Sequence, residues 1–160
     1  MLVSKDLQRI ITVARGLDRE VAARLRRHTK QEAEPIWRES VRGHVTTRLQ
    51  TRVLSDTTRV SVSDSNVMLK SATTGKLSSG VSAGALASMV EFGAMPDKRV
   101  RQRSRKGKSY TRRLGHVVGL PRRKGYVVFP AVRDSIPRVA SLWAQTTLRT
   151  VAEEFEKGES

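Results

Sequence analysis

The chain contains no cysteine, which removes disulfide frameworks, thiolate metal sites and cysteine nucleophiles together. Aromatic residues are scarce at 4%, so a core must be assembled mainly from Val, Leu, Ile and Ala. No long hydrophobic run occurs, and the N-terminal stretch MLVSKDLQRIITVARGLDRE is broken by charges every few residues. That pattern does not supply the apolar segment of a signal peptide or membrane span, and the expectation is a soluble protein of the cytosol. The stretch from Lys98 to Gly125 lacks any Asp or Glu while carrying twelve Lys or Arg residues. These are Lys98, Arg99, Arg101, Arg103, Arg105, Lys106, Lys108, Arg112, Arg113, Arg122, Arg123 and Lys124. The whole chain has a formal net charge of +16 over 160 residues, so this one segment holds three quarters of the excess.

Function classes that need a dense cluster of reactive groups find little support. Gly107-Lys108-Ser109 resembles the end of a phosphate-binding loop, but Gln102 stands where that loop requires its first glycine. His28, His44 and His116 fall in different expected elements, without metal-ligand spacing to one another or to a carboxylate. No Gly-x-Ser-x-Gly elbow is present, and Glu91 is the only acidic residue between Asp64 and Asp97, too isolated to divide acid and base roles. The reading is a protein without catalytic residues, cofactor or metal.

Apolar residues at Leu7, Ile10, Ile11, Ala14, Leu17, Val21 and Leu25 form one helical stripe, with Ser4 as N-cap and Asp6 near the positive helix end. Trp37, Val41, Val45 and Leu49 continue it, with a bend expected at Pro35. Acidic residues diluting the polar face argue against a membrane-surface helix and for packing against protein. Val60 and Val62, then Val67 and Leu69 after an Asp-Ser-Asn turn, predict a β-hairpin. The Gly- and Ser-rich stretch 73–84 implies a mobile loop, and 85–92 a short helix ended by Gly93. Tyr126 to Phe129 reads as a strand ended by Pro130. Ile136, Val139, Ala140, Trp143, Thr147, Val151 and Phe155 then line a last helix with Pro137 in its first turn. The expected fold is α+β: one domain over 1–160 with a helical arm at 4–50, sheet and loops at 51–130, and a C-terminal amphipathic helix at 135–156. The sheet is small and mostly antiparallel, and 98–124 is a long basic loop.

The basic segment leaves three uses open: an assembly loop, direct binding of nucleic acid, or inert solvated surface. Counterion release favours DNA, whereas only Tyr110 is available for base stacking. Val117, Val118 and Leu120 are apolar residues inside a charged loop, which argues for partner contact.

Two short segments carry a resemblance. Met89-Val90-Glu91-Phe92-Gly93-Ala94, followed by Tyr126-Val127-Val128-Phe129-Pro130-Ala131-Val132-Arg133, resembles the tail-completion or neck proteins of long-tailed bacteriophages. The order of elements is similar over most of the chain, although the basic loop is longer than in that family. The family motif residues are Glu91, Phe92, Gly93, Phe129, Pro130 and Ala131, and as scaffold positions Glu91 is expected near the surface with Phe92 in the core. The resemblance implies a structural virion protein at the head-tail junction, found in the host cytoplasm during assembly. Its implied partners are copies of itself in a ring, other connector or tail proteins, and genomic DNA in non-specific contact, with no membrane. Segments 73–84 and 98–124 would then order on those partners. The alternative is a small basic DNA-binding or packaging accessory protein.

Overall fold

A computed structural model describes residues 5–104 and 106–158, with the side chains of Asp6, Leu7, Ile10, Phe155 and Lys157 outside that description. The fold is α+β, built from helices and two separate two-stranded antiparallel ribbons. The chain forms two compact units. A helical unit comprises 1–40, 58–70 and 131–160; a second, basic unit comprises 41–57 and 71–130.

The helical unit begins with α1 (Lys5–Arg15) and α2 (Arg19–His44, of which 19–40 belong here). The expected bend at Pro35 is displaced: the chain breaks at Gly16 to Asp18, and α2 runs through the proline. Ala33 and Trp37, both fully buried on either side of Pro35, offset the roughly 3 kcal/mol that an interior proline costs a helix. Ala14, Val21 and Leu25 are buried as the stripe predicts, while Ile11 and Leu17 are half-buried. The Ser4 cap and the Leu7 and Ile10 positions lie outside the described residues.

The hairpin falls where alternation places it, with β1 (Arg59–Val62) paired to β2 (Val67–Lys70) in the register Val60 opposite Leu69 and Val62 opposite Val67. Val60 faces inward at 3% exposure. Ser63 closes the turn, its amide donating to the Asn66 carbonyl at 2.9 Å. The Trp37 indole N–H donates to the Lys70 carbonyl at 2.9 Å, and Arg26 pairs with Asp64, so the ribbon lies along α2.

The last helix, α5 (Val128–Gly158), starts seven residues before the expected 135, and Pro137 sits inside it rather than in its first turn. Ion pairs Arg24–Glu154 at 3.2 Å and Glu39–Arg138 at 3.3 Å set its body antiparallel to α2. Ile136 is 56% exposed, against expectation; the buried register is Ala131, Ser135, Val139, Trp143, Thr147 and Thr150. Three of these six are hydroxyl residues, and each donates back to the carbonyl four residues earlier: Ser135 to Ala131, Thr147 to Trp143 and Thr150 to Thr146, at 2.6 to 2.9 Å. Polar side chains thus enter an aliphatic interface already satisfied.

Thr29 is the contrast. It is fully buried on α2, and its hydroxyl has no hydrogen-bond partner among the described residues. Thr29→Val keeps the shape and removes the unsatisfied group, so urea denaturation should show a gain of about 1 kcal/mol. Trp37→Phe should lose about 2 kcal/mol through the missing donor and the unfilled volume. A destabilised Thr29 variant, or an unchanged Trp37 variant, would contradict this packing.

A buried carboxylate and a basic ribbon as the candidate functional site

The basic unit opens with Thr47 as N-cap of α3 (Arg48–Gln50), where Gln50 reaches back to complete a capping box, and a π-helical turn at Thr51–Ser55 follows. The Thr57 hydroxyl donates to the Val53 carbonyl at 2.7 Å and accepts from the Ala72 amide at 2.8 Å, which holds Ala72 at its positive φ of 56°. The Gly/Ser stretch, expected as a mobile loop, carries its own hydrogen bonds: Leu77 donates to Val81 at 2.8 Å and Ala83 to Gly75 at 3.0 Å. Ser82 then caps α4 (Ala83–Phe92), its side chain accepting from the Ala85 amide at 3.3 Å.

Glu91, expected near the surface, is only 4% exposed. Its carboxylate accepts three backbone N–H bonds, from Val127 at 3.1 Å, Val128 at 2.8 Å and Phe129 at 3.0 Å. The first four amides of any α-helix lack an internal partner. Here three of them donate to Glu91, and the fourth position is Pro130, which has no N–H to satisfy. The negative charge also sits against the positive end of the helix dipole. The segment Tyr126 to Phe129 is therefore not a strand: Tyr126 and Val127 lead into α5 and Val128 and Phe129 begin it, because a cap from 36 to 38 residues away fixes this backbone. Pro130 is a first-turn residue rather than a strand terminator, and Ala131 follows it fully buried.

The chain from 119 to 126 closes around the same motif. Ala94 donates to the Gly119 carbonyl at 2.9 Å, Arg122 to Phe92 at 2.7 Å and Tyr126 to Glu91 at 2.9 Å. Phe92 is half-buried and meets Phe129 edge to face with centroids 5.2 Å apart. Gly93 ends α4 as expected, at φ 72° and ψ −179°, a region open essentially to glycine alone. A Cβ there would overlap the Leu120 carbonyl oxygen, and one at Gly125 would overlap a Glu91 carboxylate oxygen.

The expected basic loop is largely a ribbon. β3 (Arg99–Arg103) pairs antiparallel with β4 (Ser109–Arg113), register Arg99 opposite Arg113, Arg101 opposite Thr111 and Arg103 opposite Ser109. Those six residues share one face. Val100, Gln102, Tyr110 and Arg112 share the other, where the Tyr110 hydroxyl donates to Gln102 Oε1 at 3.0 Å. Val100, Gln102 and Tyr110, together with Leu86, Met89 and Phe92, line a groove of about 870 Å³ to which Lys98, Arg101 and Arg103 also contribute. Lys98 precedes β3, Lys106 and Lys108 lie in the exposed turn, and Arg105 is outside the described residues. Arg122, Arg123 and Lys124 form a separate exposed group, with the Arg122 guanidinium 5.2 Å from the Tyr126 ring centroid. Among the described residues, five of these cations are on the ribbon's strands, Lys98, Lys106 and Lys108 flank or connect them, and Arg122, Arg123 and Lys124 stand apart. Sixteen of the 31 Lys and Arg but only three of the 15 acidic residues belong to the basic unit, a net charge of +13 against +3 for the helical unit.

Among the described residues no helix is long and apolar enough to cross a membrane, and no group of His, Cys, Asp and Glu has metal-site geometry. No protein-family model, curated protein or solved structure matches this chain.

Glu91→Ala leaves three helix-terminal amides unpaired and should lower stability by about 4 kcal/mol in urea denaturation, with Glu91→Gln near 2 kcal/mol. Gly93→Ala should prevent stable folding of the basic unit. Gly80→Ala, at φ 82° with open space around it, should cost only about 1 kcal/mol. Equal effects at the two glycines would contradict the contact at Leu120.

Proposed function

We propose that the protein is a structural, non-catalytic component of a tailed-phage virion that acts in assembly at the head-tail junction, as a tail-completion or neck protein. One observation carries this reading. The two segments that resemble that family, 89–94 and 126–133, are distant in sequence but interlock through Glu91 with the amides of Val127, Val128 and Phe129, and through Phe92 with the Phe129 ring. Short motifs of low individual specificity gain weight when they prove to be two halves of one structural device.

Exposed apolar residues add support for protein contacts. Met95 and Leu120 are each 60% exposed and Val117 53%, all in the basic unit. They suit heterologous contacts in a ring, where one surface of each copy meets a different surface of the next. Other connector or tail proteins are the remaining partners, and the site of action is the neck of the virion after assembly in the host cytoplasm.

The one-sided arginine face of the β3–β4 ribbon favours a second reading, a DNA-binding or packaging accessory protein. Electron microscopy of a lysate from the native phage with this gene disabled separates the two. The joining role predicts DNA-filled heads beside separate tails of normal length. Complete particles would overturn both readings, and heads without DNA would favour packaging.

A further inference from the structure

We infer that the β3–β4 ribbon docks on the phosphate backbone of double-stranded DNA through Arg99, Arg101, Arg103 and Arg113. The inference does not depend on the head-tail reading and would hold for a protein acting at any stage of packaging or assembly.

Strand geometry places alternate residues about 6.7 Å apart. Arg99, Arg101 and Arg103 therefore project from one face of β3, with Arg113 opposite Arg99 and Thr111 and Ser109 opposite the other two. Every side chain on this face can donate a hydrogen bond, and none is a carboxylate. Arg103 is steadied by its Nε–H bond to the Gly107 carbonyl at 2.9 Å. Guanidinium groups match phosphate oxygens bidentately, and Ser and Thr hydroxyls are common phosphate donors.

The charge arrangement is unfavourable for the free protein. Arg99 and Arg113 are direct cross-strand neighbours, a placement in which like charges destabilise a sheet. The only acidic group paired to this face among the described residues is Asp97, 3.7 Å from Arg113 and 87% exposed, too weak to neutralise four arginines. Lys98, Lys106 and Lys108 flank the face, and Arg112 lies on the opposite one. A polyanion removes this repulsion.

One feature favours duplex over single-stranded DNA. The arginine face holds no aromatic side chain, so it offers no platform for unstacked bases; Tyr110 is on the far face, bonded to Gln102. An acidic protein partner is the weaker match, because this face lacks the buried apolar or aromatic anchor on which protein interfaces centre.

The test is fluorescence anisotropy of the full chain with a labelled mixed-sequence 24-base-pair duplex at 50 to 200 mM NaCl. With four to five phosphates neutralised, log K should fall against log salt with a slope of about −4, a loss of roughly 250-fold across that range. The matching single strand and a polyglutamate of equal charge should both compete poorly, a result that needs no variant. The combined variant R99Q/R101Q/R103Q/R113Q should bind about 100-fold more weakly at 50 mM, with its slope reduced to near −1. The variant R15Q/R19Q/R27Q/K30Q, which removes the same charge from exposed positions of the helical unit, should stay within about fivefold of the parent. Equal losses in the two variants, tighter binding of polyglutamate, or equal affinity for single strand and duplex would each overturn the proposal.

Discussion

The basic unit depends on one carboxylate. Glu91 sits at the end of α4, buried, and satisfies the three amides that open α5. A buried carboxylate is costly unless fully hydrogen-bonded, and here both oxygens are engaged by backbone donors that would otherwise be orphaned. Each side of the arrangement removes the other's penalty. Val127 cannot cap its own helix and Pro130 has no amide to offer, so the start of α5 works only with an acceptor delivered from elsewhere. Gly93 and Gly125 make room for that delivery, one for the Leu120 carbonyl and the other for the carboxylate itself.

This explains what sequence reasoning could and could not reach. The β1–β2 hairpin was legible because Val60, Val62, Val67 and Leu69 alternate around turn residues, and α4 because it ends at a glycine in a helix-terminating position. The strand expected at Tyr126 to Phe129 was wrong for a reason that local pattern cannot contain: the β-favouring residues Val127, Val128 and Phe129 are turned into a helix start by a glutamate 36 to 38 positions away. Glutamate is rarely buried without a partner, and backbone amides leave no mark in a sequence, so Glu91 read as a surface residue. Pro35 misled in the opposite way, since burial of Ala33 and Trp37 outweighs its local preference. The β3–β4 ribbon did leave a trace in the alternation of Arg99, Arg101 and Arg103, but arginine-rich strands lack the apolar rhythm by which strands are usually recognised.

Folding also gives the charge a location that composition alone does not. The helical unit is almost balanced, held by buried aliphatic residues, with hydroxyls bonded back to their own helix and exposed ion pairs between α2 and α5. Most of the positive excess belongs to the unit organised by Glu91, where a paired ribbon displays part of it on one face. A charged segment held as paired strands meets a partner with less conformational entropy to lose than a free loop would. That is the physical content of the proposed assembly role: a hydrogen-bonded scaffold that presents apolar residues to protein neighbours and a donor-lined face to a polyanion.

Amide hydrogen exchange in the unaltered protein tests the central arrangement most directly. If Glu91 caps α5, the amides of Val127, Val128 and Phe129 are protected to a degree comparable with those in the interior of α4. Exchange of all three at the rate of an open helix end, while the interior of α5 stays protected, would contradict the account.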